Sequence, residues 1–100
     1  MSQNRLVISK AAQKDFRKIF VFGRNKWGVA TAESYIESLQ NGFWHLLIHP
    51  EIGSIRDELL PLMRCYPVER HLIYYRWISN HVEIIRILHH KQDLTKHLPS

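Results

Sequence analysis

The sequence has a single cysteine, Cys65, so no disulfide can form within the chain and a fold stapled by several of them is excluded. Nowhere does it approach the roughly 18 consecutive apolar residues of a membrane span. Glycine and proline number only four each, which excludes collagen-like and low-complexity chains. Acids are scarce, nine against fourteen lysines and arginines. Lysine itself disappears between Lys26 and Lys91. The opening MSQNRLVISK offers no apolar stretch that would serve as a secretory signal, and together with the lone thiol this leads us to expect a cytoplasmic protein.

What is present is a folding composition. Hydrophobic residues make up 45% and charged residues 23% of 100 residues, enough for one modest core, so residues 1–100 are expected to form a single domain. The net charge of +5 is unevenly placed. Residues 1–30 carry seven cations (Arg5, Lys10, Lys14, Arg17, Lys18, Arg24 and Lys26) against Asp15, which leaves the remaining seventy residues at −1. Such a front half suits an acidic partner, although a solvated helix face has the same composition.

Residues 5–9, RLVIS, read as a short strand, and Ser9 stands where a helix N-cap would. Ala12, Phe16, Ile19 and Phe20 then fall on one helical face. Gly23 and Gly28 bracket an expected break. A second stripe follows, made of Ala32, Tyr35, Ile36, Leu39, Phe43, Leu46 and Leu47. It stops at His49-Pro50, because proline disfavours helix in the residue before it. The two helices are expected to form an antiparallel hairpin. Val21, Phe22 and Trp44 fall off both stripes, where they either meet the sheet at an angle or make an exposed apolar patch. Residues 50–62, PEIGSIRDELLPL, read as a structured loop. Residues 63–90 supply three strands broken at Val68-Glu69-Arg70 and Ser79-Asn80-His81, with tight turns that require antiparallel pairing. Residues 82–88, VEIIRIL, are apolar on both faces, as an interior strand would be. The expected class is α+β, ordered β-α-α-β-β-β, with the helical hairpin packed on a small antiparallel sheet.

This order, with the blocks "SKAAQKDFRKIF", "WGVATAESYIESLQNGFWHLLIHPEIGS", "ELLPLMRCYPVERHLIYYRW" and "IIRILHHKQD", resembles the ParE branch of the RelE/ParE superfamily of bacterial toxins. The last block carries Arg86, His89 and Asp93 in an arginine–apolar–apolar–histidine–three residues on–aspartate pattern. The resemblance implies a small cytoplasmic toxin of a toxin–antitoxin system, neutralised by the C-terminal segment of a cognate antitoxin and directed at DNA gyrase. The RelE branch of the same superfamily holds ribosome-dependent mRNA endonucleases, so the fold alone does not choose between binding and catalysis.

RNA cleavage through the 2′-hydroxyl needs an acid, a base and cations for the developing phosphorane charge. His89 or His90 as acid or base, Arg64 and Arg86 on the phosphate and Glu51 as an orienting group are the candidates. The lysine gap and the acidic loop with Glu51, Asp57 and Glu58 suit that chemistry poorly, so no catalytic residue is assigned. An arginine among apolar strand residues more often pairs with a carboxylate or caps loop carbonyls. Asp57, Glu58, Glu83 and Asp93 are the expected partners of Arg86, while Arg64 is expected to be freer for a partner. A partner-binding surface is assigned to Lys14, Arg17, Lys18, Phe22, Trp44, Arg64, His89 and His90. Arg86, His89 and Asp93 are expected to fix the end of the sheet and the tail. His89, Asp93 and His97 would share a face of a helical tail, but the spacings of a closed zinc site are missing, and neither a metal nor a cofactor is expected. The basic face lacks interleaved aromatics, so independent nucleic-acid binding is not expected either.

Overall fold

The computed structural model describes residues 4–96. Its elements in order are β1 (Arg5–Ile8), α1 (Lys10–Trp27), α2 (Val29–Ile48), β2 (Ser54–Ile55), β3 (Met63–Val68), β4 (His71–Ile78), β5 (His81–His89) and a 3₁₀ turn (Leu94–Lys96). The strands form one sheet in the order β1-β5-β4-β3-β2. The α+β class holds, with two corrections to the sheet. It is mixed rather than wholly antiparallel, because β1 lies parallel to β5 along one edge, Arg5 opposite His81 and Ile8 opposite Ile84. Ser54 and Ile55, inside the segment read as loop, add a fifth strand opposite Cys65 and Arg64.

Ser9 caps α1 as its position suggests: its Oγ accepts from the Ala12 N–H at 3.0 Å. The same hydroxyl donates to the Ile85 carbonyl at 2.8 Å, which ties the start of the helix to β5. The expected break at Gly23 is absent. That residue is buried inside α1, where a Cβ would stand 3.4 Å from that of Ala32, so two small residues let the helices approach closely. The hairpin turns on Gly28 alone, whose φ of 97° lies where side chains rarely go. Ser79 and Asn80, at φ 44° and 65°, make the two-residue β4–β5 turn that suits the twist of paired strands.

The helices cover one face of the sheet. Ala12, Leu39, Phe43 and Leu46 are buried there with Ile73, Tyr75, Val82, Ile84 and Ile87, while Phe16, Ile19, Tyr35, Ile36 and Leu47 pack around them. The other face carries Met63, Cys65, Tyr74, Ile85 and Leu88 beneath Leu59, Leu60 and Leu94. Cys65 is therefore a buried core residue, and burial pushes its thiol pKa up. β5 is an interior strand covered on both faces.

Between β4 and β5 the register slips: Tyr75 faces Ile84, whereas Tyr74 faces Arg86. Ile85 is the extra residue of a β-bulge. The bulge reverses the alternation of faces, so Ile84 and Ile87, three residues apart, both enter the core beneath the helices.

Phe43 is 3% exposed in the centre of that core, with its ring centroid 5.9 Å from that of Phe16. Phe43→Ala is expected to lower the unfolding free energy by about 3–5 kcal/mol. Chemical denaturation checks this, and an unchanged midpoint would mean that Phe43 does not hold the hairpin to the sheet.

Candidate functional site

Between α1, the start of α2 and the ends of β4 and β5 lies a cleft of about 550 Å³. Ile19, Gly23, Ala32 and Ile87 give it an apolar lining, and Phe22 and Trp27 lie at its hairpin end. Their rings meet edge to face with centroids 5.8 Å apart, and the Lys26 ammonium stands 5.5 and 5.6 Å from them. Lys18 and Arg70 add charge, and His71, His89 and Gln92 line the end at the sheet.

Asp15 and Arg86 also line the cleft and are held to one another. Arg86 Nε donates to Asp15 Oδ2 and Nη2 to Oδ1, each at 2.7 Å. The side chains are 8% and 16% exposed respectively, so this fork-to-fork pair is largely withdrawn from water. The Ile87 N–H donates to the same carboxylate at 3.0 Å, supplying a partner for the backbone just beyond the bulge. Bonding to Asp15 raises the already high pKa of Arg86. The expectation of a carboxylate partner for Arg86 named the wrong ones: it bonds Asp15 rather than Asp57, Glu58, Glu83 or Asp93. A signal for Asp15 was present in the sequence, since it falls three residues after Ala12 and one before Phe16 on the apolar stripe of α1.

Three further groups missed from sequence shape the end of the cleft. The Tyr35 hydroxyl bonds His71 Nδ1 at 2.5 Å and accepts the Arg70 N–H at 3.1 Å. The His71 pKa falls to about 4, first through burial and then through the neighbouring His89 and His90. Neutral His71 therefore accepts from Tyr35 at Nδ1. The ring of His89 stands edge-on to His71 with centroids 5.5 Å apart, and His90 lies 4.3 Å from His89. Burial lowers the His89 pKa as well. Tyr35 had been read only as part of a core stripe, and His71 only as a strand residue.

The residues assigned to a partner surface fall in several places. Lys18, Phe22 and His89 line the cleft. Lys14 and Arg17 are exposed on α1, and Phe22 and Trp44 are both 58% exposed. Phe22, with Val21, thus takes the exposed rather than the packed alternative, as does Trp44 on α2. Arg64 donates to the carbonyls of Glu51 and Gly53 at 2.8 and 2.9 Å, so it holds the 50–55 segment instead of reaching toward the cleft. On the sheet it lies opposite Tyr75, while His71 and His89 are paired at the other end of β4. The fold therefore separates Arg64 from His89 and His90 and engages Arg86 with Asp15. Beyond β5, the His89 N–H donates to Gln92 Oε1 and its Nδ1 accepts the Lys91 N–H. Asp93 Oδ1 accepts from the backbone and hydroxyl of Thr95. Among the described residues no group of three or more histidine, cysteine or acidic side chains is placed to hold a metal. His97 lies outside those residues.

A helical hairpin on a mixed five-stranded sheet is a fold shared with a small toxin–antitoxin protein. A chain from the chromosomal ParDE system of Pseudomonas aeruginosa superposes with a TM-score of 0.77, covering 89% of this chain and 98% of that one at 18% identity. Residues 6–94 match the family model of the ParE toxin of type II toxin–antitoxin systems, parDE, and the chain belongs to that family. Toxin ParE1 of Mycobacterium tuberculosis is 30% identical over 96 residues, covering 95% of this chain and 98% of its own. Toxin ParE1 of Caulobacter vibrioides is 31% identical over 91 residues, covering 91% and 94%.

Two predictions come from the charges of the cleft. Asp15→Ala removes the carboxylate from a largely buried pair and from the Ile87 N–H, and is expected to cost about 3–5 kcal/mol by chemical denaturation. His71 is neutral in the fold, and its pKa lies below the unfolded value near 6.5. Its contribution is therefore complete above about pH 6.5 and is lost as pH falls from there toward 4, by about 2 kcal/mol at pH 5. His71→Gln should flatten the decline in thermal midpoint between pH 7 and 5. A variant with the wild-type slope would refute the assignment.

Proposed function

We propose that this ParE-type toxin acts as a single cytoplasmic domain that poisons DNA gyrase by binding it, and that the acidic amphipathic segment of a cognate antitoxin neutralises it by seating in the cleft along α1. The observation carrying this reading is the engagement of its arginines. Arg86 is bonded to Asp15 and Arg64 to loop carbonyls, while Arg64 lies away from His89 and His90, so these four do not converge on a phosphate. The cleft combines an apolar lining with Lys18, Lys26 and Arg70, a combination that suits an amphipathic acidic segment. No helix among the described residues is long and apolar enough to cross a membrane.

One observation favours the alternative, a ribosome-dependent mRNA endonuclease. Two imidazoles, His71 and His89, line the cleft with Arg70, and an acid–base group beside a cation is what RNA cleavage requires. Controlled expression separates the two. The gyrase reading predicts a halt in DNA synthesis with a DNA-damage response, and inhibition of supercoiling by the purified protein. An early stop in translation with cut mRNA supports the endonuclease.

The double variant His89→Gln, His90→Gln, shown to be folded, is expected to remain toxic. A fall of about 100-fold or more in ribosome-dependent mRNA cleavage relative to wild type would overturn the binding reading. Reversal of Lys14, Arg17 and Lys18 to glutamate is expected to slow association with the antitoxin and flatten its salt dependence. Unchanged association at low salt would mean that this face is only solvated.

A further inference from the structure

The β3–β4 turn is held more firmly than a hairpin turn requires. Val68 and His71 are the last paired residues, so Glu69 and Arg70 form the turn itself. Glu69 has a φ of 54°, a left-handed conformation that a side chain of its kind seldom adopts. The Arg70 N–H donates to Tyr35 Oη on α2 at 3.1 Å, and the Arg70 carbonyl accepts the His90 N–H at 3.0 Å. The peptide groups on both sides of the Arg70 side chain are thus pinned, one to the helical layer and the other to the end of β5. Tyr35 also bonds His71, the next residue, at 2.5 Å. The exposed Arg70 side chain leaves this clamp along the wall of the cleft. Strain retained in an ordered turn signals a function when neighbouring groups over-determine it.

We propose that the Glu69–Arg70 turn is a preorganised anchor for an acidic side chain of the antitoxin, with Tyr35 as the residue that positions Arg70. The inference rests on the reading of the cleft as the antitoxin's seat. A guanidinium grips a carboxylate through two parallel N–H bonds, and holding its backbone in advance removes part of the ordering cost of binding. A carboxylate on a protein segment fits better than a nucleic-acid phosphate, because the cleft beside Arg70 is lined by Ile19, Ile87 and Ala32, which suit the segment's apolar side chains.

The test measures affinity for the purified cognate antitoxin, with Lys18→Ala and Phe22→Ala reporting on the cleft. Arg70→Ala is expected to weaken binding about 10-fold or more. Tyr35→Phe keeps the ring but loses both bonds, and should weaken binding by a comparable factor. The double variant should be no weaker than Arg70→Ala alone, because Tyr35 acts through Arg70. By NMR, Tyr35→Phe should also raise the His71 titration midpoint, which loss of general stability would not do. Glu69→Gly keeps the turn foldable whatever happens to Tyr35→Phe. It relieves the left-handed strain and should be at least as stable as wild type, yet bind more weakly because Arg70 is no longer aimed. If Lys18→Ala and Phe22→Ala also leave affinity unchanged, the cleft is not the antitoxin's seat. If those two weaken binding but Arg70→Ala does not, the anchor alone is wrong. If Arg70→Ala weakens binding but Tyr35→Phe and Glu69→Gly do not, the positioning role is wrong. Displacement of the antitoxin by an RNA oligonucleotide whose affinity depends on Arg70 would assign the anchor to phosphate and overturn the proposal.

Discussion

The carboxylate of Asp15 is where the helical layer and the sheet are joined. It takes two hydrogen bonds from Arg86 and one from the Ile87 backbone, and all three donors sit at the only register slip in the β4–β5 ladder. A bulge leaves backbone groups out of the ladder, and inside a core each needs another partner. α1 supplies those partners from two successive turns. Ser9 takes part at the Ile84 and Ile85 carbonyls, and Asp15 at the Ile87 N–H. The bulge sends Ile84 and Ile87 to the same face and Ile85 and Leu88 to the other. One irregularity in a strand thereby sets both the composition of the two cores and the seat of α1.

The cleft follows from that seat. With α1 fixed at Asp15, its far end carries Phe22, Lys26 and Trp27 beyond the sheet, beside the small residues Gly23 and Ala32 that bring the helices close. The cations along it come from α1 and the β3–β4 turn, which are remote in sequence. Arg86, the cation nearest the core, is matched by Asp15, whereas Lys18, Lys26 and Arg70 face the opening as exposed charges. A surface of that kind favours association with an acidic chain over concentrated acid–base chemistry. Neutral His71 fits the same picture, since its bond to Tyr35 organises the turn while adding no charge to an already basic wall.

The elements themselves were legible because their signals are local. Ser9, the two apolar stripes, the stop before Pro50 and the Ser79-Asn80 turn each act within a few residues, and each appears where its chemistry places it. Two local readings failed for physical reasons. Gly23 looked like a break, but close helix packing compensates for its low helix propensity. Residues 54–55 looked like loop, yet they pair with β3 in a segment held by Arg64 and by Tyr75, whose hydroxyl accepts the Gly53 N–H and donates to the Pro50 carbonyl.

The candidate site was legible only in part. The basic character of α1 and the exposed Phe22 were open to a reader of the sequence, because charge and off-stripe position are properties of a single helix. Asp15 and Arg86 lie 71 residues apart, and Tyr35 and His71 are separated by 36. No periodicity pairs them. Their meeting depends on the bulge in β5, on the parallel placement of β1 and on how deeply α1 sits. The sequence determined the helices, the antiparallel strands and the sign of the charge. Tertiary packing decided which arginines are engaged, which histidine is kept neutral and where a cleft opens, because each is a matter of distance between residues that the chain itself keeps far apart.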